Sequence, residues 1–256
     1  MPLLAIPEEI HVGIFDKWKD YKETRRVKRI ESNKNLIRRD KVAKEERAAA
    51  IEFFCDLSDS TIAVPALLKR FDFSADNGIV DTREKERALD GITSRGSEAV
   101  PLIIDHLKNS TRIAWPVKAL SKLVEEKEVA ETLHSCLDYG DVSFDQAKVD
   151  KNYDLLCYLA DYKLHGLSEK LSHFLNVHDE RVRYAAAELL VLQDDKEVPT
   201  LLEKFTYDES EENRRLKKTV FEAFSEKGWK LSNPEKGAET SPAGFRVSKE
   251  GLVSKA

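Results

Sequence analysis

Seven residues in the middle of the chain are of types that recognise other molecules. Arg112, Trp115 and Lys118 lie in TRIAWPVKAL, where an indole sits between two cations. Asp145, Tyr153, Asp154 and Tyr158 lie in FDQAKVDKNYDLLCYLADY, an acidic and aromatic stretch that follows the longest internal loop. Such groups suit a partner-binding surface, and long loops in compact arrays often carry binding residues. Each also has a plainer reading. Trp115 can pack in a core, because an indole buries a large area, and Leu155, Leu156 and Leu159 mark an apolar face whose other side is simply exposed.

A second set could neutralise phosphates. Lys17, Lys19, Arg25, Arg26, Lys28, Arg29, Arg38 and Arg39 lie in a segment, residues 17–47, that holds thirteen Lys or Arg against six Asp or Glu. Trp18 and Tyr21 are interleaved with them. This pattern fits nucleic acid or an acidic partner. It equally fits a solvated helix capping the fold, with Ile14, Trp18 and Tyr21 spaced as a packing stripe.

Reaction chemistry finds less support. In the loop Phe71–Glu86, the groups Asp72, Asp76, Asn77 and Asp81 do not follow a calcium-loop spacing. They read instead as a turn at Asn77-Gly78 with Asp81 or Thr82 capping the next helix. His165, His173 and His178 share no helical face at ligand spacing, and His134 and Cys136 diverge on a helix. No phosphate-binding glycine loop or nucleophile elbow occurs. We therefore assign no catalytic residue, metal ligand or cofactor from sequence.

The elements that must position these groups recur. DERVRYAAAELLVLQDDKEVPTLLEKF, from Asp179 to Phe205, gives one apolar face through Val182, Ala185, Ala186, Leu189 and Leu190, then a polar joint, then a second helix with Pro199 in its first turn. Similar pairs begin at Ala50, Ala88, Ala119 and Leu155, and a weaker one at Thr219. Val-Pro marks the second helix at Val64-Pro65, Val100-Pro101 and Val198-Pro199. The register steps by about 33 residues, a period of helical-pair repeats. A single pair cannot bury its own apolar face, so neighbours supply the missing wall.

The run Asp179-x-x-Val182-Arg183-x-Ala185-Ala186-x-x-Leu189, with Val198-Pro199-x-Leu201-Leu202, resembles the HEAT-repeat family in its short bacterial, phycobilin-lyase-like form. The resemblance spans roughly residues 41–230 as a pattern. It implies an all-α fold, a right-handed α-solenoid of about five to six helical pairs with convex and concave layers, and a scaffold or adaptor role. The iron-binding enzymes of that family use His-Glu dipeptides; here His11, His106, His134, His165, His173 and His178 are each followed by another residue.

The expected organisation is a basic helical arm over 1–40, a HEAT-like domain over 41–231 and a polar tail over 232–256 that folds back as a docked hairpin or stays flexible with one docked turn. With a net charge of −5 and three unpaired cysteines in apolar patterns, the chain reads as a soluble, cytoplasmic protein with buried thiols and no membrane span. The expected function is a non-catalytic adaptor for a protein partner. The alternatives are nucleic-acid binding through residues 17–47 and a lyase-type assembly enzyme with a groove site.

Overall fold

The computed structural model describes residues 8–163, 166–193 and 195–256, with side chains from residue 17 onward. The fold is all-α: thirteen α-helices occur among the described residues, with one short two-stranded hairpin. No described helix is long and apolar enough to cross a membrane. The chain divides into two compact units, residues 1–106 with 114–123, and residues 107–113 with 124–256.

The first unit contains α1 (Glu8–Ile37), α2 (Lys44–Asp56), α3 (Ser60–Leu68), α4 (Gly78–Thr93), most of α5 (Val100–Asn109) and α6 (Ala114–Ser121). Helix α2 packs against α1, α3 and α4, and α4 also packs against α6. Ala50, Ile51 and Phe54 of α2 and Ala88 and Ile92 of α4 are fully buried in this core. Gly91 lets α4 approach α2 closely: a Cβ there would lie 2.4 Å from Cys55 Sγ. The sequence pattern starts α3 at Val64-Pro65, but the helix begins at Ser60. Asp59 accepts from the Thr61 backbone N–H at 3.0 Å and from its hydroxyl at 2.7 Å, so this cap nucleates the helix a turn early. Pro65 then lies inside α3 and forgoes one backbone bond.

The second unit contains α7 (Glu126–Ser135), α8 (Gln146–Leu159), α9 (Ser168–Leu171), α10 (Glu180–Leu192), α11 (Val198–Glu203), α12 (Arg214–Lys227) and α13 (Pro234–Glu239). Strands β1 (Phe245–Val247) and β2 (Val253–Lys255) follow. Helix α10 packs between α8 and α12 and against the 3-10 turn Ser172–Asn176. Asp179 caps α10 through the backbone N–H groups of Arg181 and Val182. Pro199 opens α11, and Gly228 closes α12 in the left-handed region at φ 66°. The hairpin pairs Phe245 with Lys255 and Val247 with Val253. Strand β2 lies on α12, and the Phe245 ring stands 5.8 Å from Phe221.

A charged residue on an apolar stripe recurs near the start of the longer helices. Arg47 of α2 donates Nη1 hydrogen bonds to the carbonyls of Asp40 and Val42 at 3.1 and 3.2 Å. Lys151 of α8 donates to those of Leu107 and Lys108 at 2.7 and 2.8 Å. Arg183 of α10 donates to those of Val177 and His178. Each cation is at most 8% exposed and satisfies open carbonyls, Arg47 and Arg183 those of the segment just before their own helix and Lys151 those at the end of α5.

Candidate functional site

The second unit contains a groove of about 500 Å³ between the loop that follows α7, the first half of α8 and the start of α10. Local hydrogen bonds shape the loop. Asn152, 3% exposed, donates to the Asp138 carbonyl and accepts from the Asp138 N–H, both at 2.9 Å. Asp138 accepts from Gly140 N at 2.9 Å, Asp141 from Ser143 N at 3.0 Å, and Asp145 caps α8 through Lys148 N at 3.2 Å. Val142, Val149, Val177 and Val182 give the groove apolar surface, and His173, His178 and Gln146 give it polar surface. Phe144, on the loop forming one wall, is 101% exposed.

Aromatic contacts brace this wall from behind. The Tyr139 hydroxyl pairs with His134 Nε2 at 2.9 Å, and its ring lies 4.9 Å from Phe174 and 5.6 Å from His173. Burial, with the nearby Lys170 charge, pushes the His134 pKa down, and burial pushes that of Tyr139 up. Both groups are therefore neutral at pH 7. Burial likewise lowers the Lys151 pKa, against the opposing charges of Cys136 and Asp138.

Beside the groove, carboxylates and rings line the outer faces of α8, α10 and α12. Arg181 Nη2 joins Asp150 at 2.8 Å and Asp179 at 3.0 Å, and its guanidinium lies 5.5 Å from the Tyr153 ring. One helix further, Arg215 lies 3.9 Å from the Tyr184 ring. Burial and the Asp150 charge raise the Asp154 pKa, with Arg181 opposing them. The structure thus places Asp154 and half-buried Tyr158 on one helical stripe, four residues apart, with Tyr153 turned to the neighbouring side of the helix. Asp145 stands apart at the α8 N-terminus. Sequence reasoning missed Phe144, His173, His178 and Arg181. Phe144 alone carried a signal, an aromatic residue among turn-forming polar neighbours.

In the first unit, Trp115 is half-buried and stacks on Phe71 at 5.7 Å and 17°, with Lys118 Nζ 4.7 Å from its ring. Arg112 is exposed and belongs to the other compact unit. Pro116 falls in the first turn of α6, where it is tolerated. The Phe71–Glu86 loop follows a different plan from the sequence expectation. Asn77 itself caps α4, accepting from Ile79 N and Val80 N at 3.1 Å each. Asp81 instead receives Arg70 Nη2 at 2.6 Å, Lys85 Nζ at 2.7 Å and Ala75 N at 2.8 Å. Burial would raise its pKa, but these donors outweigh that and hold it at about 2. Glu84 Oε2 accepts from Arg47 Nε at 2.7 Å and Arg70 Nε at 2.8 Å. Among the described residues no His, Cys, Asp and Glu group is placed to hold a metal ion; His165 lies outside them.

The basic set lies on and just beyond α1. Residues 17–29 are exposed throughout, and burial begins at Ile30. Trp18 and Tyr21, 54% and 59% exposed, therefore form no packing stripe; Ile14 lies outside the described side chains. Helix α1 makes its tertiary contacts with α2 and α3. Arg38 and Arg39 follow the helix and are also exposed. Of the cysteines, Cys136 is buried, Cys55 intermediate and Cys157 exposed, which corrects the expectation of three buried thiols.

No family model, curated protein or solved structure matches this chain.

Proposed function

We propose that the chain is a HEAT-like helical-repeat adaptor that holds a segment of a protein partner in the groove of the second unit. The groove is the observation that carries this reading: apolar valine surface with imidazole and amide groups, and a fully exposed Phe144 on the loop beside it. An aromatic anchor beside an apolar floor is the usual centre of a protein interface. Asp141 and Asp179 line it, and Arg181 pairs with Asp179 and Asp150, so the segment is apolar with a basic residue directed at Asp141. The recurring buried cations of α2, α8 and α10 support stacked helical pairs, five to six along the chain, as the α-solenoid that presents this surface.

Selection from a random peptide library on the full chain tests the reading. The expected outcome is a consensus of one or two large apolar residues with Lys or Arg beside them. Binding should weaken about tenfold to a hundredfold in Phe144→Ala, from the apolar area that ring contributes, and fall likewise in Val142→Arg. Selected peptides that ignore both substitutions, or no selected peptide at all, would overturn it.

A further inference from the structure

The exposed part of α1 sorts its side chains by type around the helix. At 3.6 residues per turn, Trp18, Tyr21, Lys22, Arg25, Lys28 and Arg29 share one face. Asp20, Glu23 and Val27 lie on the opposite one. Residues 17–29 carry seven basic and two acidic groups, and the acids do not interrupt the basic face. Cations are already set on the rings: Lys22 Nζ lies 3.4 Å from the Trp18 centroid and the Arg25 guanidinium 5.7 Å from that of Tyr21. Arg29 reaches across to the Phe53 ring of α2 at 4.8 Å, which ties the base of this face to the fold.

We infer that this face of α1 binds a single-stranded nucleic acid, with its cations on phosphates and Trp18 and Tyr21 against unpaired bases. A run of cations with interleaved, exposed rings supplies both contacts that sequence-tolerant single-strand binding uses. A duplex would satisfy the cations and leave the rings without bases to stack on. A lipid surface fits poorly, because it needs an apolar face and Val27 lies opposite the rings. An acidic peptide would use the charge alone.

The test is fluorescence anisotropy of a labelled mixed-sequence 20-mer with the full chain, as DNA and as RNA. The corresponding duplex, a polyglutamate peptide and anionic phospholipid vesicles serve as competitors. The expected result is single-strand binding whose log affinity falls linearly with log salt, with a slope of about −0.7 per phosphate contacted. Arg25→Glu/Lys28→Glu should weaken it at least about tenfold. Trp18→Ala/Tyr21→Ala should weaken the single strand more than the duplex. Protection of Lys22 and Lys28 from acetylation by the bound 20-mer provides a reading on the unsubstituted chain. The inference is overturned by absent binding at low salt, by protection confined to lysines elsewhere, or by indifference to Arg25→Glu/Lys28→Glu. Duplex, polyglutamate or vesicles that compete as well as the single strand would overturn it too.

Discussion

Replacing Glu84 by Gln should destabilise the first unit far more than any surface charge change. The carboxylate stands between two guanidinium groups at 2.7 and 2.8 Å, and Arg47, Arg70 and Glu84 have side chains 3%, 0% and 5% exposed. Gln keeps the shape and one acceptor oxygen, so the loss is the charge that compensates two buried cations. Breaking such a pair costs about 3–5 kcal/mol. Arg47 keeps its carbonyl partners and Arg70 keeps Asp81, which puts the expected loss near the lower bound, about 3 kcal/mol. The control is Glu52→Gln. Its partner Arg87 lies at 2.6 Å, but the two side chains are 52% and 42% exposed, so water screens the pair, and the expected loss is below about 1 kcal/mol. Adding Arg47→Met to Glu84→Gln should recover part of the loss, because one uncompensated charge is removed. Urea denaturation gives the totals, and hydrogen exchange of α2 and α4 amides assigns them to this unit. Equal losses in Glu84→Gln and Glu52→Gln would refute the reasoning.

Other outcomes follow from the same structure. Asp72 and Asp81 sit at about 2, below their ordinary 3.8. At Asp72, burial raises the pKa, but the His106 imidazole at 3.3 Å and the Lys69 ammonium at 3.0 Å outweigh it. A depressed carboxyl stabilises the fold above its unfolded pKa, so the contribution is complete above about pH 4 and lost as pH falls through about 2. After allowance for screening, Asp81→Asn should remove about 1–2 kcal/mol at pH 7 and flatten that acid limb in urea titrations. Gly91→Ala should cost about 1–3 kcal/mol by forcing a methyl group against Cys55, read from the thermal midpoint. A thiol reagent should modify Cys157 first and Cys136 last, following exposure, as burial raises the pKa of all three thiols.

The helical character was legible because apolar residues recur at helical spacing in α2, α4, α8, α10 and α12, and caps such as Asp179 declare their helices. Local chemistry that depends on distant partners was not. Asp81 looked like a cap, yet Arg70 and Lys85 claim it, and Asn77 caps α4 instead. Pro65 looked like a helix start, yet Asp59 set the start a turn earlier. Arg47, Lys151 and Arg183 carried a readable signal, a lone charge in register with an apolar stripe, but their carbonyl partners lie in segments whose approach only the fold determines. Trp18 and Tyr21 had the spacing of a packing stripe, but no described helix covers that stretch of α1. The groove was hidden for the same reason: its valines come from a loop, two helices and a turn, and each is unremarkable alone.

Site-specific photo-crosslinking shows whether a partner occupies the groove of the second unit. A benzophenone side chain replaces Phe144 in the full chain, with Ile79, 77% exposed in the first unit, as the control position. One discrete protein adduct is expected from position 144, none from position 79, and loss of the adduct when Val142→Arg is added. No adduct from position 144, or the same adduct from both positions, would contradict occupancy of the groove.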